Sequence, residues 1–127
     1  QGTLAGLNRA SISFPPDHGA RVVTTILTDP ALKADWLEEL EEMRNRINGL
    51  RRSLANALRQ ETGSDRFGFL SAQQGMFSVL GGSEAQIARL REEFGVYLVG
   101  GGRLNTAGLT DASVPRVAKA LATVLTD

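Results

Sequence analysis

The sequence predicts an α+β, two-layer fold: a long helix and several shorter ones packed on a small, mainly antiparallel sheet. Three observations predict it. One apolar stripe, with steps of three and four residues, runs from Leu32 to Leu58. Runs of strand character are few and fall late, after Arg66. Two further helical stripes, around Leu90 and Leu121, alternate with those runs. With 127 residues, the chain has the length of one domain with its own hydrophobic core.

The elements follow in chain order. Gln1 to Phe14 carry no firm periodicity. Pro15-Pro16 forbids helix at Phe14 and Pro15. Asp17 is placed to cap a helix from about Pro16 to Leu27, with a strand over Val22 to Leu27 as the rival reading. Asp29-Pro30 is a stronger start, an N-cap side chain before a proline at the first helical position. Leu32, Trp36, Leu40, Met43, Ile47, Leu50, Leu54 and Leu58 then form one stripe. Asp35, Glu38, Glu39, Glu41 and Glu42 crowd its first half, and Arg44, Arg46, Arg51, Arg52 and Arg59 its second, which complements the helix dipole. Glu42 and Arg46 are spaced to pair at i,i+4. Gly63 ends the helix. Continuous from Pro30 to Glu61, it is about 48 Å long at about 1.5 Å per residue. The favoured reading packs this stripe on its own domain. Near-heptad spacing leaves a dimeric coiled coil as the rival.

Phe67 to Leu70 and Met76 to Leu80 read as short strands. Ser83 and Gln86 have capping-box spacing for a helix faced by Ile87, Leu90 and Phe94, with Gly95 as its stop. Val96 to Val99 reads as a strand, Gly100-Gly101-Gly102 as a turn, and Arg103 to Ala107 as the hairpin partner. Ser113 is placed to cap a last helix faced by Val114, Val117, Leu121, Val124 and Leu125.

Composition narrows the functions. The chain has no cysteine, which excludes disulfides, zinc fingers, iron–sulfur clusters and thiol catalysis. Its 14 basic and 14 acidic side chains balance, against a partner such as nucleic acid or an acidic membrane. No apolar run approaches the roughly 18 residues of a membrane span, and no basic-then-apolar leader opens the chain. The single histidine, His18, reads as a surface or capping residue. The only lysines, Lys33 and Lys119, fall on exposed-looking helical positions rather than in the desolvated setting of a Schiff-base amine. The glycine triplet lacks a Gly-Lys-Ser/Thr ending and leads into a strand, so it reads as a plain turn rather than a phosphate loop. Arg103 follows that turn with a rigid fork suited to carboxylate or phosphate, although spacing alone favours a surface ion pair. The same holds for Arg9.

Several stretches match a known pattern. They are Gly101 to Gly108 (Gly-Gly-Arg-Leu-Asn-Thr-Ala-Gly), Gly75-Met76-Phe77-Ser78 and Leu90 to Tyr97. Upstream stand Arg9-x-x-x-Ser13-x-Pro15-Pro16-x-x-Gly19-Ala20-Arg21 and, in the long helix, Met43-Arg44-x-Arg46-Ile47. In that order the chain closely resembles, over essentially its whole length, the carboxy-terminal part of the class I aminotransferases, in the aspartate and aromatic-amino-acid subgroup. The resemblance implies the small domain of the pyridoxal-phosphate-dependent transferase fold over residues 29–127. Residues 1–28 would then be the end of the large-domain region, with a dimer-facing segment. It implies that Arg103 holds the α-carboxylate of an amino-acid or 2-oxo-acid substrate and that Phe77 packs beside it and helps to position it. Arg9 would reach across a homodimer to the distal carboxylate of a dicarboxylic substrate. The cofactor implied is pyridoxal 5'-phosphate in a cytoplasmic full-length enzyme. Its Schiff-base lysine and most of its ligands would lie upstream, leaving no catalytic residue and no cofactor contact in this segment. The absence of a first methionine fits a segment cut from a longer chain. Two departures stand near Arg9: Phe14 where the family usually has Asn, and Ile12 where an aromatic residue is common. Both bear on substrate preference. Two other classes stay open on the residues alone, a module that dimerises through the long helix and a small anion-binding domain at the glycine turn.

Overall fold

The computed structural model describes residues 2–13 and 16–126. The chain forms two units, Gln1–Glu41 and Glu42–Asp127. The expectations for Phe14 and Pro15 lie outside the described residues. In the first unit, α1 (Gly2–Ile12) is helical where the sequence shows no periodicity. The reason is visible in its burial: Leu4, Leu7 and Ile12 are all exposed, so no apolar face is selected within this chain. Helix α2 (His18–Thr28) resolves the strand alternative over Val22 to Leu27 in favour of helix and starts two residues later than expected. Asp17 makes no side-chain cap; its carboxylate instead accepts a hydrogen bond from Arg21 Nε one turn on.

Helix α3 (Pro30–Thr62) starts and stops where the sequence says. Asp29 Oδ1 accepts from the Ala31 and Leu32 N–H groups at 2.9 and 3.1 Å, satisfying two of the free donors of the first turn. Gly63, at φ +62°, closes the other end by donating its N–H to Arg59 O at 3.0 Å. The stripe is used unevenly. Leu50, Leu54 and Leu58 are buried, whereas Leu32, Trp36, Leu40 and Met43 are exposed. Packing on its own domain therefore holds for the C-terminal part of the stripe only. Arg46 does not pair with Glu42 as expected. Its guanidinium donates to the carbonyls of Ala107 and Leu109, at 3.3 and 2.9 Å.

The second unit carries the core. Leu50, Leu54 and Leu58 of α3 join Phe67, Leu70, Leu90, Leu104, Leu109 and the face of α5 (Val114–Leu125). Phe67 to Leu70 is not a strand: Gly68–Ala72 forms a 3-10 helix. Gly68 N–H donates to Asp65 O and Leu70 N–H to Phe67 O, and the buried pair Phe67 and Leu70 has the three-residue spacing of that helix. Strand β1 (Phe77–Val79) follows as expected. Helix α4 (Glu84–Phe94) has the full Ser83/Gln86 capping box, and Gly95 closes it in the left-handed conformation.

Val96 to Val99 is not a strand; it contributes a single bridge, Val99 with Arg103. The partner of β2 (Arg103–Asn105) is β1, antiparallel, not the run just before the turn. The glycine triplet forms the expected turn, and a second 3-10 helix, Thr106–Gly108, follows β2. Ser113 makes no side-chain cap for α5; it exchanges hydrogen bonds with Thr110 instead. Every residue of the expected α5 face is buried. Arg66 Nη1 and Gln86 Nε2 donate to the Leu125 and Val124 carbonyls at 3.0 and 2.9 Å, satisfying free acceptors at the end of α5. Among the described residues, no helix is long and apolar enough to cross a membrane.

Candidate functional site

The two strands make a three-position ribbon, with Phe77 opposite Asn105, Ser78 opposite Leu104 and Val79 opposite Arg103. Alternation then decides which side chains share a face. Ser78 and Leu104 are buried, while Phe77, Val79, Arg103 and Asn105 are exposed together on the other side. Phe77 and Arg103 are diagonal neighbours there, and the Arg103 guanidinium carbon lies 5.0 Å from the Phe77 ring centroid. That is cation–π geometry; it restrains the guanidinium without occupying its N–H donors. The surface ion pair favoured on spacing alone is not formed among the described residues. Asn105 is committed locally, its Oδ1 accepting from Ala107 N–H at 3.1 Å.

Backbone geometry fixes where Arg103 starts. Val99 and Arg103 exchange hydrogen bonds of 3.0 and 3.1 Å across the glycine turn, and Leu80 N–H donates to Gly102 O at 2.9 Å. Gly102 has φ +74°, and a Cβ there would run into the Gly81 carbonyl. The turn thus lies against the segment that follows β1 because Gly102 carries no side chain at the contact.

The residue that the sequence reading misplaced is Arg51. Counted there only among the basic residues of the second half of α3, it is 1% exposed. Its Nη1 donates to Ser78 Oγ and its Nη2 to Gly75 O. Its Nε has no hydrogen-bond partner among the described residues. Burial lowers the pKa of its guanidinium below the ordinary value. A signal was present: Arg51 stands four residues after Ile47 and three before Leu54, on the apolar side of the helix.

Arg103 and Phe77 are thus brought together within the second unit. Arg9 lies in the first, exposed on α1, and its carbonyl accepts from Ser13 N–H at 2.9 Å. Ser13 is the one non-glycine residue at positive φ among those described, at +58°, and ends α1. Ile12 precedes it, exposed. His18 opens α2 and is exposed, as read from the sequence. Lys33 on α3 and Lys119 on α5 are both exposed, and neither is on the ribbon.

Comparison with known proteins adds a family match. Residues 2–121 match the model for "Aminotransferase class I and II". The chain is similar to the aromatic-amino-acid aminotransferase of Paracoccus denitrificans, 52% identical over 121 residues, covering 95% of this chain and 31% of that protein. It is 49% identical over 118 residues to the aspartate aminotransferase of Escherichia coli, covering 92% of this chain and 30% of that one. Among solved structures, an aromatic amino acid aminotransferase with 3-indolebutyric acid is similar with a TM-score of 0.92 and 52% identity, over 98% of this chain and 32% of that one. The chain therefore spans about a third of the length of the curated relatives it matches.

Proposed function

Because this chain belongs to the class I and II aminotransferases, we propose that it is the substrate-carboxylate-binding part of a full-length enzyme of the aspartate and aromatic-amino-acid subgroup. That enzyme transfers an amino group between an amino acid and a 2-oxo acid. In this reading residues 29–127 are its small domain, and residues 1–28 are the end of its large-domain region with a segment facing the second subunit of a cytoplasmic homodimer.

The observation that carries the proposal is Arg103, on the exposed ribbon face, braced on the Phe77 ring at 5.0 Å. A planar fork so presented takes a carboxylate through two parallel N–H···O bonds. A single hydrogen bond involving a charged group contributes about 1.5–3 kcal/mol. Phe77 keeps the guanidinium plane oriented between binding events, which lowers the ordering entropy of docking. The structural relative that holds 3-indolebutyric acid, itself a carboxylic acid, supports this choice of ligand group. Docking on Arg103 would draw the segment toward the rest of the enzyme and exclude water from the substrate.

The amino-group chemistry belongs to pyridoxal 5'-phosphate, whose Schiff-base lysine and most ligands are expected upstream of this chain. Lys33 and Lys119 are the only lysines, on α3 and α5, and neither stands on the ribbon that carries Arg103. Cofactor contacts are therefore assigned to the upstream part of the full-length enzyme, and the segment alone is expected to be inactive.

Arg9 is assigned to the distal carboxylate of a dicarboxylic substrate. Its place on the exposed α1, next to the strained Ser13, suits a residue offered to a partner surface. Steady-state kinetics of the full-length enzyme test both arginines. Arg103→Lys loses the fork and is expected to lower kcat/KM about a hundredfold, or about 3 kcal/mol. A near-normal value removes Arg103 from the role. Arg9→Ala is expected to affect aspartate far more than phenylalanine, and an equal loss on both removes Arg9 from its role.

A further inference from the structure

We infer that Arg51 is a positioning residue for the Arg103 site, acting from behind the ribbon; this rests on the carboxylate reading of Arg103. Arg51 projects from the core side of α3 and touches the chain at two points, the Gly75 carbonyl and the Ser78 hydroxyl. Those points bracket Met76 and Phe77. Ser78 is buried, 2% exposed, on the face of the ribbon opposite Phe77. A fork that grips both points fixes the segment on which Phe77 stands, and the Phe77 ring in turn carries the Arg103 guanidinium.

Such a clamp is needed because the ribbon is so short. Two strands of three residues are marginal unless another element holds them. Thr106 N–H donating to Met76 O at 2.8 Å anchors the same segment from the β2 side. Arg51 anchors it from α3. The chemistry of Arg51 argues the same way. It is a buried cation with only neutral partners among the described residues, and its Nε is unpartnered. A residue serving core packing alone would be replaced at lower free energy by an apolar side chain. The guanidinium supplies what an apolar side chain cannot, two hydrogen bonds to fixed points on the strand that bears Phe77.

The test uses the full-length holoenzyme, four single variants and one double variant. Arg51→Met is expected to raise KM for amino-acid substrates about tenfold while kcat changes much less, and to speed amide exchange across Phe77–Val79. Arg51→Lys, which reaches one acceptor, and Ser78→Ala, which removes one, are expected to show smaller shifts in the same direction; they carry the test if Arg51→Met does not fold. In the Arg103→Lys background the effect of Arg51→Met on KM is expected to vanish, because both act through one contact. A rise in KM of equal size in both backgrounds, or no rise in any Arg51 or Ser78 variant while Arg103→Lys alone raises KM, overturns the inference and leaves the carboxylate reading standing. An unchanged kcat/KM in Arg103→Lys overturns that reading, and the inference with it.

Discussion

At Gly102 the backbone sits at φ +74°, and the space a Cβ would need is filled by the Gly81 carbonyl. Gly101 has φ +76° but open space around it, and Gly100 has neither constraint. Three adjacent glycines therefore differ in what they do. Gly102→Ala combines left-handed strain with a backbone clash and is expected to destabilise the chain by about 3 kcal/mol. Gly101→Ala carries the strain alone, about 1 kcal/mol. Gly100→Ala should stay within about 0.5 kcal/mol of the parent. Urea unfolding of the chain gives the ranking, and equal effects at all three positions would show that the Gly81 contact does not matter. Residue identity made the triplet legible as a turn. Which glycine is irreplaceable was not legible, because the contact is with Gly81, in a different loop. The two arginines of the site divide in the same way. The local setting of Arg103 left a surface ion pair as the favoured reading and the family resemblance assigned it to a carboxylate, whereas Arg51 took its meaning from Ser78 and Gly75, which only the folded chain brings within reach.

Helix α3 shows what periodicity can and cannot decide. Its ends were legible because Asp29, Pro30 and Gly63 act on the backbone within one turn of themselves. Its stripe was legible as a stripe. The part that is covered depends on what lies opposite, and spacing is silent about that. Leu54 is 1% exposed and Leu40 is 45% exposed, though both belong to one run of threes and fours. Leu54→Ala is expected to cost about 3 kcal/mol by loss of burial and a residual cavity. Leu40→Ala should change the stability of this chain by less than about 0.5 kcal/mol. Comparable losses in urea midpoint would mean that both halves of the stripe are buried in solution. The same limit explains the strands. Val96 to Val99 has strand composition, yet it contributes only the bridge between Val99 and Arg103, and the strand partner of β2 is β1. Phe67 to Leu70 has strand residues at 3-10 spacing, and the closed turn at Gly68 settled the matter.

For the molecule as a whole, burial is confined to one side of the division at Glu41. Among the described residues, every buried hydrophobic one lies between Leu50 and Leu125. Neither α1 nor α2 buries a residue, and Leu4, Leu7, Val22, Val23, Leu27 and Trp36 all remain exposed. Since apolar burial is the main favourable term in folding, the cooperative unfolding of this chain belongs to the second unit. Removing residues 1–41 is then expected to leave the unfolding free energy within about 0.5 kcal/mol of the parent. The denaturant slope should hardly change, because the slope follows surface exposed on unfolding and the first unit buries little. Exposed apolar surface on that scale also promotes association. Sedimentation velocity should accordingly show concentration-dependent self-association for the whole chain and a monomer for residues 42–127. The rival reading, a dimer built on the long helix, predicts otherwise if its seam runs through Ile47, Leu50 and Leu54, since those residues survive the truncation. A tight dimer of 42–127 that Ile47→Asp breaks would show that the long helix carries a dimer seam of its own. A monomer that keeps its cooperative transition assigns the exposed apolar residues of the first unit to contacts with partners beyond this chain.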